Sequence, residues 1–566
     1  MVENRRRDTA HPFVDAVPRD APGSVEIGFS VPERYNASAI LFDNLAAGRG
    51  ERPAVLGPQG SRSYRALCED AARIGNALRA EGLTPGERIL LFLDDTPVYP
   101  AAFFGAMRAG LVPLTINTLT PSDLLQFYLQ DSGARLAIAD AAFAARFNAT
   151  ACAGTSLERI VIANSDTAGV DTKNVEAERI AAEAFGAPAV PLAAWIAGQS
   201  ATLAAADTHR DDMAFWMYSS GSTGRPKGIV HLHHDMAYTA RSYADAILKL
   251  TPDDICFSVP KIFFAYGLGN SLTFPFCAGS ASLLLPGQPK PEAIFKAIAT
   301  YRPTVFFGLP TLYTALTKSP AAADADLSSL RLSISAAEVL SAEVFNGWKA
   351  LCGLEIVEGL GSTEVLHIYL SNRPEQKKLG AAGQRVPGYE VKLCDLAGEP
   401  VDGEQEGVLW VRGDSNTPAY WNRPDKTAET IRAGGWIYTG DRFHRDADGF
   451  YFFRGRADDL IKVSGQWVYP LEVELCLADH PAVRECAVVA VEMQDRRMTL
   501  RAFVALNDGN DDDNRTATAR MLQDHVKTTL LPYKYPRIVT FLDDLPKTGT
   551  GKIDRQALLL RPLPDE

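Results

Sequence analysis

The chain has 566 residues, room for three to five folding units at about 100–200 residues each. Its 46% apolar and 22% charged residues are globular values, and 57 basic against 69 acidic residues leave a formal charge of −12, without the basic excess expected of a nucleic-acid binder. Eight cysteines are scattered with no Cys-x-x-Cys pair, which predicts reduced buried thiols, not a disulfide framework or zinc ribbon.

In chain order, the first thirty residues lack periodicity and read as an irregular arm. Arg5-Arg6-Arg7 has no apolar stretch behind it, so no secretory signal is expected. A helix is predicted over Arg65–Gly82, with Leu67, Ala71, Ile74 and Leu78 on one face, Ser63 ahead of it and Gly82 at its end. Then come a strand, Ile89–Leu93, a helix near Ala101–Ala109 closed by Gly110, and a strand, Val112–Ile116. The alternation continues through strands Leu136–Ala139, Arg159–Ala163, Ile255–Val259, Ser282–Leu285, Val305–Phe307 and Leu332–Ser335. Apolar strands separated by helices predict an α/β body with largely parallel, buried sheets. No charged residue occurs from Ile262 to Pro289. That run exceeds a bilayer span, but Gly267, Gly269, Pro275, Gly279 and Pro286 would break a lipid-facing helix, so a buried loop, helix and strand is expected.

After Gly388 short strands (Glu390–Cys394, Gly407–Val411) between Gly/Asp turns predict a small β-rich subdomain. From Arg454 a helix (Leu471–Ala478), strands (Cys486–Glu492, Thr499–Leu506), a helix (Arg520–Leu530) and a strand (Arg537–Leu542) predict a compact α+β unit. Its Asn507–Arg515 stretch reads as a solvated acidic loop. The boundary is expected near Asp458, giving domains 1–457 and 458–566. An acidic, cytoplasmic protein, monomer or homodimer, that binds neither nucleic acid nor membrane is the expectation.

The most distinctive string is Tyr218-Ser-Ser-Gly-Ser-Thr-Gly-Arg-Pro-Lys-Gly228. Glycines at 221 and 224 let backbone N–H groups approach a polyphosphate. Ser219, Ser220, Ser222 and Thr223 can donate to it, and Lys227 adds a mobile positive charge. Pro226 before the lysine and Gly228 after it rule out the Gly-Lys-Ser/Thr ending of a Walker A loop. Four further strings are weaker alone. Gly359-Leu-Gly-Ser-Thr-Glu364 ends in a carboxylate suited to Mg²⁺ or a nucleotide. Asp441 in Tyr438-Thr-Gly-Asp441 could accept from ribose hydroxyls or cap a helix. Phe453–Gly465 groups basic and acidic residues around a glycine, as a solvated turn also would. Pro546-Lys-Thr-Gly-Thr-Gly-Lys552 is a glycine loop ending in lysine. His231, His233 and His234 cluster, but no cysteine or acid completes a metal set.

In this order and spacing the five strings resemble the signature motifs of the adenylate-forming superfamily, which comprises acyl-CoA synthetases, luciferases and peptide-synthetase adenylation domains. Lys261-Ile-Phe-Phe-Ala-Tyr-Gly-Leu-Gly-Asn270 and Gly361-Ser-Thr-Glu-Val-Leu-His-Ile368 resemble the benzoate–CoA ligase group most. The resemblance implies a large N-terminal domain of two α/β subdomains plus a β-rich one, and a small mobile α+β domain. It implies ATP, Mg²⁺ and coenzyme A. ATP would lie on Ser219, Ser220, Gly221, Ser222, Thr223, Gly224, Lys227, Ala337, Glu338, Gly359, Leu360, Gly361, Ser362, Thr363, Asp441 and Arg456, with Thr223 and Glu364 at Mg²⁺. Lys552 would be the catalytic lysine of adenylation and Asp458 the hinge. Lys462, Ser464, Gly465, Gln466 and Trp467 would meet coenzyme A.

By the same resemblance an aromatic acid would meet Phe264, Ala265, Tyr266, Gly267, Ala337, Gly361, His367 and Ile368. Phe263 and Phe264 could instead be plain core, and His367 either a partner for a ring substituent or a satisfied core residue. Two departures stand out. Ala337, in Ser335-Ala-Ala-Glu338, replaces a glycine usual in aryl-CoA ligases, which bears on ring size. Leu360 stands where many superfamily members have an aromatic under the adenine. The expected activity is ligation of benzoate or a substituted benzoate to coenzyme A. The alternatives are another small acid, such as a cyclohexane- or short-chain carboxylate, and a non-catalytic nucleotide-binding relative.

Overall fold

The computed structural model describes residues 22–164, 189–219, 226–395, 397–403, 405–457, 461–463, 466–493, 498–507, 515–547 and 553–563. Two compact units divide the chain. The first takes Met1–Leu340, Val344–Val391 and Val411–Tyr438, and the second Ser341–Glu343, Lys392–Trp410 and Thr439–Glu566.

The first unit holds two mainly parallel sheets. One has seven strands in the order Ala189–Pro191, Arg159–Ala163, Leu136–Asp140, Arg88–Phe92, Val112–Thr115, Met213–Ser219 and Lys227–Leu232. Its neighbours are parallel except the last pair, which forms an antiparallel hairpin. The other has nine strands: Gln384–Arg385, Ile368–Ser371, Ile356–Gly361, Leu332–Ser335, Val305–Gly308, Ile255–Ser258, Ala281–Leu283, Pro53–Leu56 and Arg62–Ser63. It is parallel from Ile356–Gly361 to Pro53–Leu56 and antiparallel at both edges. The central strands are mostly apolar because helices cover both faces, and Leu90, Ile138, Phe306 and Ile334 are fully buried.

The helix expected at Arg65–Gly82 spans Tyr64–Ala80, and Ser63 Oγ accepts from the Ala66 N–H at 3.2 Å. That cap contributes about 1 kcal/mol. The next helix starts at Val98, three residues earlier than expected, with Pro100 inside its first turn, where a missing N–H costs nothing. These two helices touch backbone to backbone: a Cβ on Gly105 would lie 2.4 Å from the Ala71 carbonyl oxygen. The uncharged run becomes a loop, a buried helix from Ala265 to Ala278 and the strand Ala281–Leu283. Within the helix Gly269–Thr273 widens to a π-turn just before Pro275, which can neither donate nor tolerate the carbonyl of the preceding turn. Among the described residues, no helix is long and apolar enough to cross a membrane.

The β-rich stretch after Gly388 is a five-stranded sheet that includes Glu390–Cys394, Glu406–Arg412 and Trp436–Arg445. In the second unit Val483–Glu492 and Met498–Leu506 pair antiparallel, with Ile538–Phe541 parallel to the latter. Helices Pro470–Ala478 and Arg515–Thr529 supply Val473, Leu477, Leu522 and Val526 to a core shared with Val488 and Leu500. The second helix begins five residues before the expected Arg520, because its first turns are threonine-rich and carry no apolar signal. Most of the acidic loop, residues 508–514, and the expected boundary at Asp458 lie outside the described residues.

Acids also enter the apolar interior, Glu358 among them. Glu358, in strand Ile356–Gly361, is buried with the Leu340 N–H on its Oε1 at 3.2 Å, and burial pushes its pKa up to about 8. The folded state therefore holds a proton that the unfolded chain releases near its ordinary pKa of 4.5, so stability should fall as pH rises between those values. Glu358→Gln should leave the melting midpoint at pH 4 nearly unchanged and raise it at pH 8. Equal midpoints at both pH values would contradict the burial.

Candidate active site

The distinctive loop closes the hairpin of the seven-stranded sheet. Ser219 pairs with Lys227 and Tyr218 with Gly228 across the two strands. Ser220, Gly221, Ser222, Thr223 and Gly224 lie between them, outside the described residues. The Trp421 N–H donates to the Gly228 carbonyl at 2.8 Å, and a Cβ on Gly228 would press on Trp421 and Tyr218 at 3.3 Å. This segment brings Tyr420 over the loop's exit: Lys227 Nζ sits 4.3 Å from the Tyr420 ring centroid. The Tyr420 hydroxyl donates to Glu364 Oε1 at 2.8 Å. Burial lowers the Lys227 pKa, and the Glu364 carboxylate partly restores it. A cation, a phenol and a carboxylate are thus assembled where the hairpin loop ends.

Glu364 sits on a turn leaving strand Ile356–Gly361. That strand doubles back on Ile368–Ser371, with Leu360 opposite Leu370 and Gly361 opposite Ile368. The glycines are steric requirements, since a Cβ on Gly361 would lie 2.5 Å from the His367 carbonyl oxygen and one on Gly359 2.9 Å from Ile368 Cδ1. Thr363–Val365 forms a single tight turn, and Leu366 follows with φ of 71°. Ser362 precedes it in extended backbone. Among the described residues no three His, Cys, Asp or Glu side chains form a metal cluster. One carboxylate oxygen donor nevertheless suits Mg²⁺, which keeps waters and substrate phosphates as its other ligands.

The expected acid pocket begins at Lys261, whose Nζ lies 2.9 Å from Asp94 Oδ1, 3.7 Å from Asp95 Oδ2 and 2.7 Å from the Leu285 carbonyl oxygen. The Asp94 N–H donates to Asp140 Oδ2 at 2.6 Å, the Gly287 N–H to Asp94 Oδ2 at 2.6 Å and the Ile262 N–H to Asp95 Oδ1 at 3.2 Å. Burial pushes Asp95 up to about 6 and Asp140 to about 7. This network fixes the start of the helix that carries Ala265, Tyr266 and Gly267, where a Cβ on Gly267 would meet the Lys261 carbonyl oxygen at 1.9 Å. Phe263 is buried, whereas Phe264 is half-buried with its ring 4.7 Å from that of Phe263, so plain core describes Phe263 alone.

His367 is packed between Phe274, Tyr243 and Tyr266, at centroid distances of 4.4, 5.6 and 5.7 Å. Its Nε2 lies 3.3 Å from the Tyr266 carbonyl oxygen, while the buried Nδ1 has no hydrogen-bond partner among the described residues. Desolvation drives its pKa down to about 3, so the imidazole is neutral. It is neither a cation nor a fully satisfied core histidine: Nε2 donates and Nδ1 keeps an unused lone pair.

Ala337, exposed, has φ of 71°, and Glu338 receives the Thr311 N–H at 3.1 Å. In the second unit Asp441 lies opposite Arg456, whose Nη1 is 2.9 Å from Asp441 Oδ1 and donates to the Thr439 carbonyl at 3.0 Å. Lys462 pairs with Trp467 and Val463 with Gln466 in a hairpin whose tip, Ser464 and Gly465, is outside the described residues. Lys552 is outside them too. Lys547 forms a bridge with Ile553, and Arg555 donates to the buried Glu474 carboxylate at 2.6 and 2.8 Å. Tyr420, Tyr243, Phe274, Asp94 and Asp95 carried no motif. Their roles come from contacts far along the chain.

Residues 42–421 match the AMP-binding enzyme family and residues 472–552 the AMP-binding enzyme C-terminal domain. The chain belongs to the AMP-binding enzyme family, the adenylate-forming superfamily whose motif strings it carries. It is 41% identical over 528 residues to the benzoate–CoA ligase of Thauera aromatica, covering 93% of this chain and 96% of that protein. A crystal structure of a benzoate CoA ligase from Burkholderia xenovorans LB400 superposes with TM-score 0.82 at 39% identity, covering 93% of this chain and all of that one. The anthranilate CoA ligase AuaEII in complex with anthranoyl-AMP gives TM-score 0.85 at 35% identity, covering 93% and 97%.

The backbone at Ala337 yields a test. An L-residue in the left-handed region is strained by about 1–2 kcal/mol relative to a helical conformation, and glycine is not. Ala337→Gly should therefore raise the unfolding midpoint by about 1–2 °C. A lower midpoint would contradict the strain.

Proposed function

We propose that the chain is an ATP-dependent aryl-carboxylate–CoA ligase acting on benzoate or a substituted benzoate through an acyl-adenylate. The observation that carries this reading is the uncharged helix from Ala265 to Ala278, which lays Tyr266 and Phe274 around a neutral His367. A flat ring gains stacking and edge contacts against such walls, and a charged or long flexible chain does not. The similarity to a benzoate–CoA ligase and to an anthranilate CoA ligase, each over 93% of this chain, supports an aryl-carboxylate substrate.

In the first half-reaction a carboxylate oxygen attacks the α-phosphorus of ATP, the bond to the β-phosphate oxygen breaks, and pyrophosphate leaves. The acid is already ionised at neutral pH, so no general base is needed. The barrier is in-line positioning and neutralisation of charge. Thr223 and the loop's N–H groups hold the β- and γ-phosphates, and Lys227, kept close by Tyr420, adds positive charge at the loop's exit. Glu364 and Thr223 would hold Mg²⁺, which when bound offsets charge on the phosphates. Asp441, oriented by Arg456, takes the ribose hydroxyls, and Lys552 offsets charge growing between the carboxylate and the α-phosphate. In the second half-reaction the coenzyme A thiolate attacks the acyl carbon and AMP leaves, with Lys462, Ser464, Gly465, Gln466 and Trp467 along the pantetheine. Domain 458–566 turns about Asp458 between the steps. Dependence on ATP and coenzyme A supports a cytoplasmic location.

Pyrophosphate release across benzoate, ring-substituted benzoates, cyclohexanecarboxylate and octanoate tests the substrate. Benzoates should turn over fastest, and fastest turnover of octanoate would reject the aryl assignment. Lys552→Ala should lose adenylation by about 100-fold or more, as for other preorganised charge donors, and keep thioester formation from supplied benzoyl-adenylate. Equal loss of both steps would reject that role.

A further inference from the structure

His231, His233 and His234 crowd the exit of the phosphate loop, and no step of the proposed reaction uses them. The structure separates them. His233 Nδ1 accepts from the Ala37 N–H at 3.1 Å, and burial drives its pKa down to about 3. His234 spans the carbonyls of Arg210 and Asp414 at 3.0 and 2.7 Å. His231 turns the other way, toward the Glu364 turn.

The His231 ring is fully buried and stacks on Phe215, its neighbour across the hairpin, at 5.1 Å and 25°. Its Nε2 lies 2.9 Å from the Thr363 carbonyl oxygen and its Nδ1 2.9 Å from Asp235 Oδ2. A carbonyl only accepts, so Nε2 carries the hydrogen. Asp235 is itself fully buried and receives the Leu232 N–H at 3.0 Å, which fixes the carboxylate that aims the ring.

The turn it reaches has each carbonyl taken from outside. Thr363 is held by His231, Glu364 by the Thr417 N–H at 2.7 Å and Val365 by the Ser415 hydroxyl at 2.8 Å. Ser415 and Thr417 belong to the segment that also supplies Tyr420. His231 belongs to the strand Lys227–Leu232, four residues beyond Lys227. It therefore sets how far the Glu364 turn stands from the end of the phosphate loop.

We infer that His231, oriented by Asp235, is a positioning residue that registers the Thr363–Glu364 turn against the phosphate-loop strand and so sets affinity for the metal–nucleotide complex. This rests on the reading of Glu364 as the magnesium carboxylate. Residues that orient a metal ligand through one intervening hydrogen bond typically change metal affinity about 10–100-fold when lost.

Two near-isosteres separate the bonds, because a glutamine amide reaches the place of Nε2 and an asparagine amide that of Nδ1. The readouts are binding of Mn²⁺ with a non-hydrolysable ATP analogue, followed by paramagnetic resonance, and KM for ATP. His231→Asn should weaken binding about 10–100-fold and raise KM for ATP, while His231→Gln stays near the parent. Both should form thioester from supplied benzoyl-adenylate at the parental rate, since that step uses no metal–nucleotide. Parental binding by His231→Asn, equal loss in both variants, loss of thioester formation alongside binding, or a glutamine variant recovered only unfolded would each overturn the inference. Glu364→Gln separates the two readings. If it leaves Mn²⁺ binding unchanged, the carboxylate assignment fails. If it weakens binding and His231→Asn does not, the positioning role alone fails.

Discussion

Two mainly parallel sheets of the first unit meet at one half-buried ammonium. Lys261 follows the strand Ile255–Ser258, its partners Asp94 and Asp95 follow the strand Arg88–Phe92, and the Leu285 carbonyl follows Ala281–Leu283. All lie at carboxyl ends of parallel strands, the edge where α/β folds place their ligand sites. Asp140, at the end of Leu136–Asp140, joins through the Asp94 N–H. One cation among three carboxyls is an uneven match, and burial answers it by raising the pKa of Asp95 and Asp140. Removing one partner of such a pair typically costs about 3–5 kcal/mol. The pocket helix starts at the next few residues, so the position of Tyr266 and the space around His367 both depend on where Lys261 is held.

The same economy of charge recurs at the nucleotide end. A chain of net charge −12 that handles ATP, coenzyme A and a carboxylate must attract anions against its own field. Lys227 is half-buried, stacked on Tyr420 and balanced by Glu364, so its charge is localised at the loop's exit. The aromatic and carboxylate partners do not neutralise it outright. The proposed acid pocket takes the opposite course: its helix is uncharged and its histidine neutral, which favours a ring over a second ionic group. Separation of a charged phosphate end from an uncharged ring end suits a substrate that is an aromatic ring carrying one carboxylate.

Much of this was legible in the sequence because buried parallel strands are near-continuous apolar runs. Leu136–Asp140, Arg159–Ala163, Val305–Gly308 and Leu332–Ser335 stand close to where those runs predict. Ser63 marked its helix correctly because capping is local. The start at Val98 was hidden by Pro100, which reads as a breaker unless it falls in a first turn. The π-turn before Pro275 has no periodic signature. Glu358 could not be seen as buried, because one acid in an apolar run says nothing about its neighbours. The ammonium of Lys261 meets Asp94 across 167 positions, and the Tyr420–Glu364 bond joins segments 56 apart. Pairings of that kind depend on topology, which no local window contains. His231 illustrates both limits: the histidine cluster was visible, but the distant partners that divide it, from Ala37 to Thr363 and Asp414, were not.

The step that everything at this site serves is attack of the acid's own oxygen on the α-phosphorus. Benzoate labelled with heavy oxygen in its carboxylate, turned over with ATP and coenzyme A, tests it most directly by mass analysis of the products. Formation of an acyl-adenylate predicts one labelled oxygen in AMP and none in pyrophosphate. Label in pyrophosphate or orthophosphate, or in neither product, would contradict it.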